Sequence, residues 1–94
     1  MSSKRQRSRY DIYVAILEAL HTKGALIAGE IARSASLSFS QDTHYLTFLV
    51  EKGLVTKLPR VWVRYEITPS GRSFLLKMKD ALSYLVEPEE KEES

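Results

Sequence analysis

The sequence contains no cysteine, and this absence excludes several kinds of protein. Without cysteine the chain can form no disulfide bond, no thiolate nucleophile and no zinc finger with the usual cysteine ligands. No apolar run approaches the ~20 residues that a membrane-spanning helix needs. The basic first residues are followed by an amphipathic segment, without the apolar core of a signal peptide. We therefore expect a cytoplasmic protein with no membrane partner.

Histidine is also scarce, which argues against an enzyme. His21 and His44 are the only two histidines, and no nucleophile–base motif, phosphate-binding loop or metal-ligand spacing accompanies them. His21 lies near the end of a predicted helix, where a histidine is typically a surface group that interacts with the helix dipole. The sequence therefore predicts no catalytic residue, no metal, no cofactor and no small-molecule ligand.

Charge is distributed unevenly along the 94 residues, which suffice for one domain with a single modest core. Residues 1–64 carry ten Lys or Arg and five Asp or Glu, a net charge of +5, whereas residues 65–94 carry four and seven, a net charge of −3. A basic domain with an acidic tail is typical of proteins that bind a polyanion, although basic segments also serve as solvated surface.

Three helices are predicted in the first part of the chain. Apolar residues at spacings of three and four indicate a first helix over 9–23 and a shorter second helix over 28–34. Ser38 and Gln41 form a capping-box pattern that starts a third helix, expected over 39–52. Because only a few residues separate the second helix from the third, the pair is typical of a helix-turn-helix.

The third helix has an unusual outer face. Its apolar residues fall on one side, and the opposite side is polar and uncharged. A solvated helix face normally carries Glu and Lys, whereas short hydrogen-bonding side chains are well suited to reading base edges. We predict that five residues of this face contact DNA: Ser40, Gln41, Thr43, His44 and Thr47. The same face could also be an ordinary hydrated surface.

A change of apolar period from 3.6 to 2 after the third helix predicts a pair of strands. The strands are expected over 54–58 and 61–68, with a bend at Pro59 and Arg60. Alternation along the second strand places Val61 and Val63 on the core side and Trp62 on the other. Trp62 is then either covered by the last helix or a second subunit, or presented to a partner.

Basic side chains are expected to contact DNA phosphates in two regions. The hairpin, as the wing of the domain, offers three of them: Lys57, Arg60 and Arg64. Residues 1–8 are polar and lack apolar anchors, which predicts a disordered arm. The arm and the residue that follows it offer four more cations: Lys4, Arg5, Arg7 and Arg9.

A last helix is predicted from Thr68 and Pro69, a cap residue followed by proline at the first helical position. Its apolar residues follow a three-four-three spacing, the seam of about two heptads. We predict that this seam forms a homodimer interface: Leu75, Met78, Leu82 and Leu85. The alternative is a terminal helix folded back onto a monomer. The predicted organisation is a basic arm over 1–8, a domain over 9–68, a dimerisation helix over 69–87 and a disordered acidic tail over 88–94.

Helix, helix, recognition-type helix, two-stranded hairpin and terminal helix in this order predict a winged helix-turn-helix, an α+β fold that is mostly α. Four stretches carry a resemblance to a known family: 11–17, 37–39, 45–55 and 65–75. In these stretches the sequence resembles small archaeal winged-helix proteins, which include ArnR-like transcriptional regulators and related chromatin proteins with a dimerising C-terminal helix. The resemblance covers residues 9 to about 86.

The resemblance implies a helix over 39–52 in the major groove, a wing near Pro59 and Arg60 on the DNA backbone or minor groove, and an antiparallel coiled-coil dimer. This sequence departs from the family at Asp42, where an apolar residue is usual. Asp42 removes the hydrophobic staple that Leu37 would make at that position, and we expect its charge not to face DNA. The last helix is also short for the family.

Charge and resemblance together predict a double-stranded DNA-binding protein that recognises sequence. We expect a homodimeric transcriptional regulator associated with the nucleoid. Two alternatives stay open, a non-specific architectural chromatin protein and a winged-helix module that binds another protein. The salt dependence of DNA binding separates the last from the others, because only phosphate neutralisation gives a steep negative slope.

Overall fold

The structure, a computed structural model, describes residues 8–84. Its elements follow in this order: α1 (Arg9–Lys23), α2 (Ala28–Ala35), α3 (Phe39–Glu51), β1 (Val55–Leu58), β2 (Arg64–Ile67) and α4 (Pro69–Ser83). The order confirms the predicted mostly helical α+β fold. Of the predicted arm only Ser8 is described, and the predicted acidic tail lies outside the described range. No helix between residues 8 and 84 is both long and apolar enough to span a membrane.

All six elements contribute to one hydrophobic core, with α1 at its centre. α1 packs against α2, α4 and β2. The innermost apolar side chains come from five elements: Ile16, Leu17, Leu20, Ile31, Leu46, Leu49, Val55 and Leu75. Burying an apolar side chain of this size stabilises the fold by about 1.5–3 kcal/mol. The core therefore holds α3 and the strands in fixed positions relative to α1.

The turn between α2 and α3 is short, and hydrogen bonds fix both of its ends. Ser36, which ends α2, has a left-handed φ of 58°, and the Leu37 N–H donates to the Ala32 carbonyl at 2.9 Å. α3 begins with the predicted capping box: the Gln41 N–H donates to Ser38 Oγ at 3.2 Å, and the Ser38 N–H donates to Gln41 Oε1 at 3.0 Å. The two helices are joined as in a helix-turn-helix.

Hydrogen bonds also tie the end of α3 to the start of α4. Gly53, with a φ of 77°, turns the chain after α3, and the Leu54 N–H donates to the Leu49 carbonyl at 3.0 Å. Thr68, the predicted cap of the last helix, accepts from the Gly71 N–H at 2.9 Å and donates its hydroxyl proton to the Gly53 carbonyl at 2.8 Å. Because β1 and β2 lie between these two points, the root of the hairpin is fixed relative to α3.

β1 and β2 form an antiparallel hairpin that is shorter than the sequence pattern predicts. The ladder ends where Leu58 pairs with Arg64, so the second strand begins at Arg64 and not at residue 61. Leu26 forms an isolated bridge with Tyr65. Leu26, which precedes α2, therefore lies at the edge of the sheet.

Val61 and Val63 do not face the core, so the prediction from strand alternation is wrong. Val61 is 94% exposed and Val63 39% exposed. Pro59 has no N–H with which to continue the ladder, and residues 59–63 form an exposed loop between the strands. Alternating valines normally indicate a strand with one buried face, but here the chain leaves the sheet before it reaches them.

α4 packs along α1, and its first half completes the core. Leu75 is 1% exposed and lies in the chain's own core, so its predicted place in a dimer seam is wrong. Helical spacing puts Leu75 on one stripe with Met78 and Leu82, but the domain itself covers the first part of that stripe. Met78 and Leu82 are partly exposed. Leu85, the fourth predicted seam residue, lies outside the described residues.

Candidate nucleic-acid interface

The outer face of α3 is exposed from its first turn to its last. The five predicted contact residues are all exposed: Ser40, Gln41, Thr43, His44 and Thr47. On the opposite side, Leu46 and Leu49 are buried in the core, which fixes the rotation of the helix about its axis. This exposed face carries no acidic side chain until Glu51, at the C-terminal end of α3.

The hairpin places one of its three predicted cations, Lys57, beside this face. Lys57, Arg60 and Arg64 are all exposed. Thr47 of α3 and Lys57 of β1 line the same cavity, which has a volume of about 130 Å³. The base of the hairpin is therefore adjacent to the C-terminal half of the outer face. Glu51 also lines this cavity and lowers the positive charge there.

An aromatic cluster places the start of α1 beside α3. Tyr13 stacks on Phe48 with ring centroids 5.2 Å apart and meets Tyr45 edge to face at 5.7 Å. Tyr10, one turn earlier, meets Tyr13 edge to face at 6.0 Å. Arg9, next to Tyr10, is exposed at this end of α1. The other three cations predicted for this region lie outside the described residues: Lys4, Arg5 and Arg7.

α2, the short turn, α3 and the hairpin together have the arrangement of a helix-turn-helix followed by a wing. A family model described as winged helix-turn-helix matches residues 6–85. The chain belongs to the winged helix-turn-helix family. No curated protein matches its sequence.

Solved structures of several transcriptional regulators are similar to this one. The transcriptional regulator BldR from Sulfolobus solfataricus is 27% identical, with a TM-score of 0.71 over 85% of this chain and 65% of that chain. A MarR family transcriptional regulator from Silicibacter pomeroyi DSS-3 is 20% identical, with a TM-score of 0.68 over 79% of this chain and 54% of that one. Another, from Streptomyces coelicolor, is 24% identical, with a TM-score of 0.66 over 90% and 74%.

This chain spans less than two thirds of the length of the proteins from Sulfolobus solfataricus and Silicibacter pomeroyi. At 20% and 24% identity the two MarR family structures show the fold alone. None of these matches tests the resemblance to ArnR-like proteins, which therefore stays a prediction. Within the described range, no group of three or more His, Asp or Glu side chains is arranged to hold a metal ion.

Two threonine hydroxyls on the outer face of α3 already donate hydrogen bonds to carbonyl groups of the same helix. Thr43 Oγ1 donates to the Phe39 carbonyl at 3.0 Å, and Thr47 Oγ1 donates to the Thr43 carbonyl at 2.9 Å. Each hydroxyl has thereby used its single proton and keeps lone pairs that can accept. The base groups that can donate to them in the major groove are the amino groups of adenine and cytosine. Thr43 and Thr47 are therefore suited to accept from these bases.

Gln41 has a structural role that limits its chemistry. Its Oε1 accepts from the Ser38 N–H in the capping box, which holds the side-chain amide at the start of α3. The oxygen keeps one lone pair, and the amino group keeps both of its N–H donors. A two-point contact to adenine needs both amide atoms of a glutamine, so the capped Gln41 can make it only with a base that approaches the amide in this fixed position.

Phe39 is a candidate contact residue that the sequence pattern missed. It is the first residue of α3 and is 67% exposed. Helical spacing puts it on the same side as Leu46, which predicts a core position, but at the first position of α3 the side chain lies outside the packed layer. An exposed phenyl ring beside Thr43 can contact the methyl group of a thymine. Phe39 is identified by its exposure in the structure, which the spacing of apolar residues in the sequence does not reveal.

Asp42 is the buried polar residue of this site. It is fully buried, as expected for a charge that does not face DNA, and neither carboxylate oxygen has a hydrogen-bond partner among the described residues. Burial raises the pKa of the Asp42 carboxyl from its ordinary 3.8 to about 6. At pH 7 the first turn of α3 therefore rests on a buried carboxylate that no described cation neutralises, at a position where a staple would place an apolar side chain.

Proposed function

We propose that this winged helix-turn-helix protein binds double-stranded DNA with α3 in the major groove and regulates transcription by recognising particular sequences. The observation that carries the proposal is the outer face of α3, which is exposed, polar and without acidic side chains before Glu51. The major groove admits a helix and presents a distinct donor and acceptor pattern for each base pair. Short hydroxyl and amide side chains match such a pattern better than the flexible charges of a solvated face.

Phosphate contacts are assigned to cations on both sides of α3. Arg9 lies at the end of α1 that adjoins α3, and Lys57 lies on β1 beside Thr47. Arg60 and Arg64 extend the basic surface along the hairpin. Contacts of this kind fix the position of a protein on the duplex without reading sequence. Three cations of the predicted arm are assigned to the same role: Lys4, Arg5 and Arg7.

The names of similar structures support a regulatory role. BldR and the MarR family proteins from Silicibacter pomeroyi and Streptomyces coelicolor are each named as transcriptional regulators. This chain shares their winged helix-turn-helix fold but is shorter than the first two. We therefore extend only sequence recognition from those proteins to this chain. Any activity that depends on their additional parts is not included in the proposal.

We expect Thr43→Val to show whether the outer face of α3 contacts bases or is an ordinary hydrated surface. Valine keeps the branched shape and a methyl group but removes the oxygen that can accept from a base. If Thr43 reads a base, the variant should lose about 1–3 kcal/mol of binding free energy on a duplex selected from a random pool. On random duplex it should lose far less. Fluorescence anisotropy with labelled duplexes at one fixed salt concentration measures both.

Thr22→Val is the matched control. The Thr22 hydroxyl also donates to a carbonyl one turn back, that of Glu18 at 2.9 Å, and it is exposed near the end of α1. This variant should bind both duplexes as the unchanged protein does. Equal losses for Thr43→Val on selected and random duplex would indicate an architectural protein. No duplex binding by the folded, unchanged protein would favour a protein-binding module instead.

We also propose that α4 joins two copies of the chain. Beyond Leu75 the apolar stripe of α4 continues through Met78 and Leu82, which are only partly covered. Leu76, on a neighbouring side of the helix, is 66% exposed. An isolated helix of this length is marginal in water, but α4 packs against α1. Lys79 of α4 also forms an ion pair with Glu18 of α1, with Nζ 3.0 Å from Oε1. A second copy would cover the remaining apolar surface.

Leu82→Glu should convert the homodimer into a monomer without unfolding it. The change places a charge in the proposed seam, where burial without a partner is unfavourable. Ser83→Glu is the matched control, because it adds the same charge to an exposed position one residue further along α4 and should remain dimeric. Light scattering coupled to size-exclusion chromatography gives the mass. A mass of one chain for the unchanged protein would end the proposal.

A further inference from the structure

The tip of the hairpin carries an exposed apolar cluster that phosphate contacts do not explain. Val61, Trp62 and Val63 follow one another in the loop between β1 and β2, and Trp62 is 72% exposed. In the described part of the chain no ring or cation packs on the indole of Trp62. Contiguous exposed apolar side chains of this kind mark surfaces that meet a partner. We refer to these three residues as the wing tip.

The charges around the wing tip indicate what kind of partner it fits. Arg60 precedes it and Arg64 follows it, and between residues 55 and 65 the sequence has no acidic residue. The partner should therefore be anionic on both sides of a central region that accepts a flat apolar ring. The minor groove of a duplex has this form, because two phosphate rims border a floor of stacked base edges.

The base of the loop is held in place. Pro59 has a fixed φ, and the Arg60 N–H donates to the Leu58 carbonyl at 3.0 Å. β-Branched residues such as Val61 and Val63, which flank Trp62, have few side-chain rotamers. A loop that is ordered before binding loses less entropy when it binds. The wing tip is therefore suited to insertion as a wedge.

We propose that Trp62 and Val61 enter the minor groove beside the major-groove site of α3 and partly unstack one base step, so that the duplex bends. Arg60 and Arg64 contact the phosphate rims on either side. Apolar wedges at base steps are a known means of kinking DNA toward the major groove. The inference rests on the proposed function, because α3 in the major groove is what would bring the hairpin over the neighbouring minor groove.

Trp62 is the only tryptophan in the chain, so its fluorescence reports on the wing tip alone. Stacking against a base should quench its emission as duplex is added, with the same midpoint as the anisotropy of a labelled duplex. A duplex labelled at both ends should show increased energy transfer when bound, since bending shortens the end-to-end distance. Both signals are measured with the full chain and the same selected duplex.

Trp62→Ala should remove the bend and lower affinity by roughly 5- to 150-fold, the range for loss of one base–aromatic stack. The slope of log K against log salt should not change, because no phosphate contact is lost. Arg60→Ala should instead reduce that slope by about 0.9. Trp62→Phe should restore part of the bend. Since Arg60 and Trp62 are both exposed, all three variants should keep the melting temperature of the unchanged protein.

Each other result overturns the wedge. If duplex binds without a change in Trp62 emission, or if Trp62→Ala bends the duplex fully, the wedge is wrong but the proposed function stands. If no duplex binds, both fail. Emission that shifts to shorter wavelength on phosphatidylserine vesicles, without a response to duplex, would assign the wing tip to a membrane surface. Emission that changes on dilution of the protein alone would assign it to a second copy of the chain.

Discussion

Asp42→Asn should make the protein more stable than the unchanged chain at pH 7, by up to about 3 kcal/mol. Asp42 is fully buried, and its carboxylate oxygens have no partner among the described residues. An amide of the same shape also leaves two buried polar atoms unpaired, one an acceptor and one a donor, but it carries no charge. The variant therefore removes the cost of burying an unpaired charge and leaves packing unchanged. Urea unfolding at a series of pH values measures the difference.

The pH dependence of this difference has a definite sign. In the unfolded chain the pKa of the Asp42 carboxyl is the ordinary 3.8, and burial raises it to about 6 in the folded state. Between these two values the folded protein keeps a proton that the unfolded chain has released, so the stability of the unchanged protein falls as pH rises. At about 1.36 kcal/mol per pKa unit the loss amounts to about 3 kcal/mol and is complete above pH ~6. Below pH ~4 the two proteins should be equally stable.

Asp80→Asn provides a matched control, because Asp80 is exposed on α4 and its replacement should change stability by less than ~0.5 kcal/mol at any of these pH values. A stability difference between Asp42→Asn and the unchanged protein that does not vary between pH 4 and 7 would contradict the expectation. So would a variant that is less stable at pH 7, since that result would mean that the carboxylate is paired in solution.

Gly71→Ala should destabilise the protein by about 3 kcal/mol, the upper part of the usual range for overpacking. Gly71 is buried in the first turn of α4. A Cβ atom there would overlap the Leu54 carbonyl oxygen and lie 2.7 Å from Ile67 Cγ1. The Leu54 oxygen belongs to the backbone and also accepts from the Thr68 N–H at 3.1 Å. Relief of the overlap would therefore move α4 away from the root of the hairpin.

Gly29→Ala is the corresponding change where space is available. Gly29 is exposed in α2, and an added Cβ would meet nothing within 4 Å. Alanine there should stabilise the protein by about 0.5–1 kcal/mol through helix propensity and a less flexible unfolded chain. Chemical denaturation of the two variants measures both effects. If Gly71→Ala unfolds at the denaturant concentration of the unchanged protein, α4 and the hairpin root are less closely packed than the structure indicates.

The start of each well-signalled element could be predicted from nearby residues. The box of Ser38 and Gln41 starts α3 where expected, and Thr68 with Pro69 starts α4. These signals act within one helical turn, because a cap side chain satisfies backbone N–H groups only two or three residues away. The order of elements, and with it the fold, followed from such local patterns.

Leu75 and Val61 could not be placed in this way. Both belong to regular apolar patterns, and a pattern reports that a face is apolar without reporting what covers it. Leu75 lies in the core where α4 packs against α1 and β2, whereas the ladder ends before it reaches Val61. Burial at these two positions depends on elements that are distant in the sequence.

For the candidate DNA interface, the sequence by itself determined which side of α3 is polar, because helical period fixes the angle between side chains once the helix begins. It also predicted cations before α1 and along the hairpin, but only the structure places one of them, Lys57, beside Thr47 of α3. Only the tertiary structure decided that Asp42 is buried with no hydrogen-bond partner among residues 8–84, that Phe39 extends beyond the core and that Trp62 is exposed. The physical reason is that exposure depends on how far neighbouring elements extend over a helix or loop, and their extent is set by packing across the whole domain.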